Sequence, residues 1–125
     1  MEISTEIIQR LRHIARKNDR QYRHSAAIVS KGVIIAEGFN MRKRVPHLLT
    51  YGYNDVFHHA ESHVLMKLRS KPPKGCVLLV IRAQKTKLGM SKPCRHCIGL
   101  MIDCGIRDVY YSTTAGTIEY MRLNQ

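Results

Sequence analysis

The residues with most chemistry in them are His59-Ala60-Glu61 and, further along, Pro93-Cys94-Arg95-His96-Cys97. One imidazole and two thiols are a zinc donor set. Three protein ligands are what a catalytic zinc takes, because its fourth position must stay open for water or substrate. His59, Cys94 and Cys97 are therefore the expected ligands of a Zn2+ cofactor. Glu61 stands two residues past the histidine, so it can hang beside a metal without binding it. A carboxylate there can take a proton from the water that the metal activates and hand it on, which makes Glu61 the expected catalytic residue. Each half is a weak signal by itself, since C-x-x-C is common and H-x-E arises by chance. The two in this order, with Pro93 ahead of the first thiol, are specific.

Other uses of the same residues are weaker. Cys104 could close a fourth ligand position and make the metal structural. It falls seven residues past Cys97, about 10 Å further along a helix, and reads better as a free buried thiol. His59 and His63 have the i, i+4 spacing of zinc proteases, but that motif places its glutamate directly after the first histidine. A redox dithiol at a helix start would use Cys94 and Cys97 and leave His-Ala-Glu without a purpose. His58 and His96 flank ligands and read as neighbours or surface residues, and Cys76 reads as core.

The elements that must position these groups follow from the hydrophobic pattern. Ile3, Ile7, Ile8, Leu11, Ile14 and Ala15 recur at helical spacing, so residues 3–18 are expected to form an amphipathic helix. Residues 24–30 and 33–39 are β-rich runs joined by Lys31-Gly32, a hairpin signal. Residues 41–57 have no clean period and read as a long loop. Residues 59–70 fit a helix ended by Pro72-Pro73. Residues 75–81 are the continuous apolar run of a buried central strand, and 85–93 read as a polar loop. Residues 94–104 form a second helix opened by Cys94, with Gly105 just past its end. Residues 107–112 are a strand, 113–116 a turn and 117–123 another extended run. With only four residues between the last two strands, a parallel crossover is too long to fit, so they should form an antiparallel hairpin. Both His59 and Cys94 then open helices, where the positive end of the dipole favours thiolate.

At 125 residues, 44% of them apolar, the chain is expected to be one globular domain over residues 1–125. No apolar run approaches a membrane span, and no membrane partner is expected. The ligand-like thiols point to a reducing, intracellular and cytoplasmic setting. Net charge is +12 and pI about 10.0, a field that attracts polyanions. Charge speaks to partners and not to chemistry. Arg42, Lys43 and Arg44, interleaved with His47, Tyr51, Tyr53 and Phe57, are candidates for phosphate or nucleic-acid contact. An ordinary lid with its aromatics packed inward is the alternative.

H-x-E followed by P-C-x-x-C is the pattern of the zinc nucleobase deaminases. The chain resembles the cytidine deaminase-like superfamily, over roughly residues 22–122. The resemblance implies an α/β fold, a three-layer α/β/α sandwich with a mixed five-stranded sheet and helices on both faces. It assigns His59, Cys94 and Cys97 to zinc and proton transfer to Glu61. It also places the backbone N–H of Ala60 against the base, and Asn40, in Gly38-Phe39-Asn40, against base or sugar. The family commonly has Ser, Thr or Glu before the proline, where this chain has Lys92. The hairpin ending leans toward the free-cytidine branch and away from the tRNA adenosine and deoxycytidylate enzymes. The expected reaction is hydrolysis of a cytosine ring to uracil on a nucleoside or nucleotide. Single-stranded DNA or RNA, a purine, and a silent zinc-stabilised nucleic-acid-binding module are the alternatives. Deaminases of this size often complete the site across subunits, which implies a homo-oligomer.

Overall fold

The structure is a computed structural model and describes residues 3–17, 23–40, 51, 59–68 and 72–124. Helix α1 (Thr5–Arg16) starts where the Ser4 side chain accepts a hydrogen bond from the Ile7 N–H. Ile7, Leu11 and Ala15 line its buried face. Strands β1 (Arg23–Ser30) and β2 (Val33–Phe39) pair antiparallel. The two turn residues, Lys31 at φ 51° and Gly32 at φ 78°, both take the left-handed region, as the favoured two-residue hairpin turns require. A bulge at Ile28/Val29 shifts the register.

Helix α2 (Ala60–Met66), strand β3 (Val77–Ala83), the short strand β4 (Leu88–Gly89), helix α3 (Arg95–Asp103), and strands β5 (Asp108–Ser112) and β6 (Ile118–Arg122) complete the order. The sheet runs β2-β1-β3-β5-β6. β3 and β5 are parallel across the α3 crossover, and the other neighbours are antiparallel. The expected closing hairpin is present. Its turn closes through Gly116, at φ 82°, whose N–H bonds the Thr113 carbonyl.

One expectation needs correcting. The sheet has six strands, since Leu88 and Gly89 leave the 85–93 loop to pair with Ala83 and Arg82. Two residues are too few to leave an alternating pattern in the sequence. The helix of 59–70 is shorter than expected, closing at Lys67.

The alternation of β1 and β3 divides two cores. Ala27, Val29, Val77, Leu79 and Ile81 face α1 on one side. Ala26, Ile28, Leu78 and Val80 face α2 and α3 on the other, which gives the three layers. β2, β3 and β5 point the same way, and α2 and α3 return from that end of the sheet. In open α/β sheets the carboxyl ends of the strands are where ligands bind.

Candidate metal centre and active site

His59 and Cys94 are the N-cap residues of α2 and α3, both in extended conformation (ψ 155° and 165°). An extended cap turns its side chain away from the helix it opens, and here the two turn toward each other. The His59 carbonyl accepts from the Ser62 hydroxyl at 2.9 Å and from the His63 N–H at 2.8 Å. Cys97 lies one turn into α3, fully buried. His59 Nδ1 is 3.8 Å from Cys94 Sγ and 3.5 Å from Cys97 Sγ, and all three donor atoms lie within 4.8 Å of one another. Around a tetrahedral zinc with its usual bond lengths, nitrogen and sulfur ligands stand roughly 3.6 Å apart. The spacing and the donor chemistry both fit that ion. Cys104 is outside the cluster and packs, half-buried, against the core, while Cys76 is core as expected.

The cluster is built for positive charge. A hydrogen bond from Cys97, helped by His59, pulls the Cys94 thiol down to about 3. The bond to Cys94 in turn raises the His59 imidazole. Glu61 is buried at 6% exposure, and burial pushes its carboxyl up from the ordinary range, against the pull of a backbone hydrogen bond and of His59. A carboxyl raised toward neutrality is suited to taking and giving protons.

Ala60 is the first residue of α2 and 1% exposed. Its N–H is among those a helix start leaves without an intrahelical partner. Asn40 follows the end of β2, where its Oδ1 accepts from the His24 N–H at 2.9 Å. Arg42, Lys43 and Arg44, with His47, Tyr53, Phe57 and His58, lie outside the described residues. Tyr51 packs against the core and donates to Asp103 at 2.8 Å, the inward packing a lid would show.

Two supports carry no signal in the sequence. His63 Nδ1 is 3.0 Å from both the N and the O of Phe39, and its ring meets the Phe39 ring edge-on at 5.2 Å. This clamps α2 to β2 beside Asn40. Gly38 makes the approach possible, because a Cβ there would stand 2.9 Å from His63 Nδ1 and 3.0 Å from the Val64 nitrogen. Under Cys94, the buried Ser91 hydroxyl donates to the Val80 carbonyl at 2.8 Å and accepts from the Ser112 N–H at 2.8 Å. Ser112 Oγ donates to the Gly89 carbonyl at 2.7 Å. These bonds fix the run-up to Pro93, while Lys92 itself is exposed.

The cytidine and deoxycytidylate deaminase zinc-binding region matches the chain over residues 1–113. The chain belongs to that family. It is a zinc-dependent deaminase of the cytidine and deoxycytidylate type. Among solved structures, the apo dCMP deaminase of the cyanophage S-TIM5 is 24% identical with a TM-score of 0.56, over 91% of this chain and 89% of that one. The same enzyme in complex with dCMP and dUMP is 22% identical, TM-score 0.56, over 90% and 85%. A diaminohydroxyphosphoribosylaminopyrimidine deaminase/5-amino-6-(5-phosphoribosylamino)uracil reductase from Thermotoga maritima is 25% identical, TM-score 0.54, over 86% of this chain but 28% of that one. The cyanophage likenesses speak for the fold. No curated protein matches the chain. Among the described residues no helix is long and apolar enough to cross a membrane.

Proposed function

We propose that the chain hydrolyses a cytosine ring to uracil on a nucleoside or nucleotide, with release of ammonia. His59, Cys94 and Cys97 hold the metal and Glu61 moves the proton. The observation that carries this is Glu61, buried beside the three-donor cluster with its carboxyl raised by that burial. A structural zinc site has no use for such a group. Zinc, when bound, supplies the activation of a water molecule near neutral pH.

The chain's own residues do the rest. Glu61 accepts the proton of the attacking water, delivers it to the ring nitrogen as C4 becomes tetrahedral, and passes a proton to the departing amine. Amide ion cannot leave unaided, so this second transfer is what lets the C–N bond break. The first-turn N–H of Ala60 and the Asn40 side chain orient base and sugar. The buried wall of α2 excludes bulk water from the carboxylate. A nucleotide is supported as substrate by the likeness to an enzyme solved with dCMP and dUMP and by the +12 charge.

Glu61→Gln tests the assignment. It should keep one zinc per chain and the wild-type melting temperature while ammonia release from cytidine, deoxycytidine and dCMP falls by orders of magnitude. Normal turnover by this variant would refute the role of Glu61.

A further inference from the structure

A cleft of about 390 Å3 opens at the outer edge of the sheet, between α1, β2 and the end of α2. Arg10, Ile14, Lys17, Glu37, Phe39 and Lys67 line it. Its size is that of a small-molecule site, which spans roughly 300–1,000 Å3. Glu37 is occupied by Arg10, at 2.8 Å and 3.4 Å, so those charges cancel. Lys67 donates to the Glu37 carbonyl at 2.5 Å, which orients its ammonium without neutralising it. Among the described residues the salt bridges are Arg10–Glu37 and Arg122–Asp108. Lys17 and Lys67 therefore give the cleft two uncancelled positive charges, one on each flank. Between them lie Ile14 and the Phe39 ring, a residue 38% exposed.

Cations flanking an accessible aromatic are the elements of single-strand recognition. Phosphates pair with the lysines, and a base lies on the ring whatever its identity. We propose that this cleft binds single-stranded nucleic acid, with a base on Phe39 and Ile14 and neighbouring phosphates on Lys17 and Lys67. Position supports a strand over one nucleotide shared with the metal centre. Lys67 is eight residues past His59, about 12 Å along the axis of α2, so a phosphate there belongs to a nucleotide other than the one at the zinc cluster. Phe39 immediately precedes Asn40, and the two sites meet at the end of β2. A strand with its target base at the metal centre can continue along this edge. The net charge of +12 supplies the long-range attraction.

The test is fluorescence polarisation of a short labelled oligothymidylate on the full zinc-loaded chain, over a salt series. The probe carries no cytosine, so binding is read without turnover and stands or falls apart from the deaminase assignment. Lys17→Gln/Lys67→Gln should weaken binding and flatten the slope of log K against log salt by about 1.4, roughly 0.7 for each phosphate released. Phe39→Leu should weaken binding about 5- to 100-fold, the range for one stacked base, at unchanged melting temperature. Lys31→Gln/Lys74→Gln, the same charge change at the opposite end of the sheet, should leave the slope near wild type. Equal effects of the two lysine pairs would reduce the cleft to net charge and overturn the proposal. So would absence of wild-type binding, or competition by free dTMP as effective as by the oligomer.

Discussion

Among the described residues three helices begin, and they begin in two ways. α1 opens on Ser4, whose hydroxyl takes the Ile7 N–H. α2 and α3 open on His59 and Cys94, and neither side chain makes a cap bond. A conventional cap is worth about 0.5–2 kcal/mol over a residue that cannot make it. At two starts this chain gives up that stabilisation and spends the cap residue on the metal centre. The extended cap conformation is kept, because it is what throws the imidazole and the thiol toward each other. The lesson is that helix starts here are of two kinds, one serving the helix and one serving the site. The two site-serving starts lie at the carboxyl ends of the strands, where α2 and α3 converge.

The comparison breaks most completely at Cys97. Cys97→Ser should drop zinc below one per chain, measured by metal analysis after dialysis, and take deamination to background. Stoichiometric zinc in this variant would remove Cys97 from the ligand set. Gly38→Ala tests the seam that lets α2 reach β2. The new Cβ must displace either the His63 ring or the α2 backbone at Val64. Overpacking of this kind costs about 1–3 kcal/mol, and a misplacement near 1 Å can cost on the order of 100-fold in rate. The expected result is a fall in kcat/KM of about 10- to 100-fold with zinc retained. Activity unchanged by Gly38→Ala would mean that the α2–β2 spacing does not position Glu61 against Asn40.

Much of this arrangement is legible in the chain. The ligands are readable because metal chemistry restricts residue type and spacing together, and His59, Cys94 and Cys97 do converge. β2 falls on residues 33–39 as expected, and β1 begins one residue early, since alternation and an apolar run are local signals. The closing hairpin followed from chain length between strands. What could not be read is what depends on contacts between distant residues. β4 exists only because Arg82 and Ala83 offer partners. The Ser91–Ser112 bonds and the His63 clamp join residues 21 and 24 apart, and a buried hydroxyl has no period to betray it. His63 drew attention as a ligand spaced from His59, whereas its printed contacts are to the backbone of β2.

Smaller effects sharpen the comparison at the caps themselves. Cys94→Ser places a good N-cap residue at the start of α3 while weakening the metal donor. In zinc-free protein, urea denaturation should find the variant more stable than wild type by about 0.5–1 kcal/mol. In zinc-loaded protein the order should reverse. A zinc-free variant no more stable than wild type would mean that the start of α3 has nothing to gain from a cap.

Ser4→Ala is the counterpart on the other kind of helix start. The bond it removes is 3.3 Å long and partly buried, so the loss belongs at the lower end of the cap range, about 0.5–1 kcal/mol. α1 packs on the face of the sheet opposite α2 and α3, and no ligand or proton-transfer group lies on it. The loss should therefore appear in the urea midpoint alone, with kcat, KM and zinc content unchanged. If Ser4→Ala also lowered kcat, α1 would be coupled to the metal centre through the sheet, and the division between helix-serving and site-serving starts would fail. If it cost nothing in stability, the Ser4 bond would be no better than water, and the capping deficit assigned to His59 and Cys94 would shrink with it.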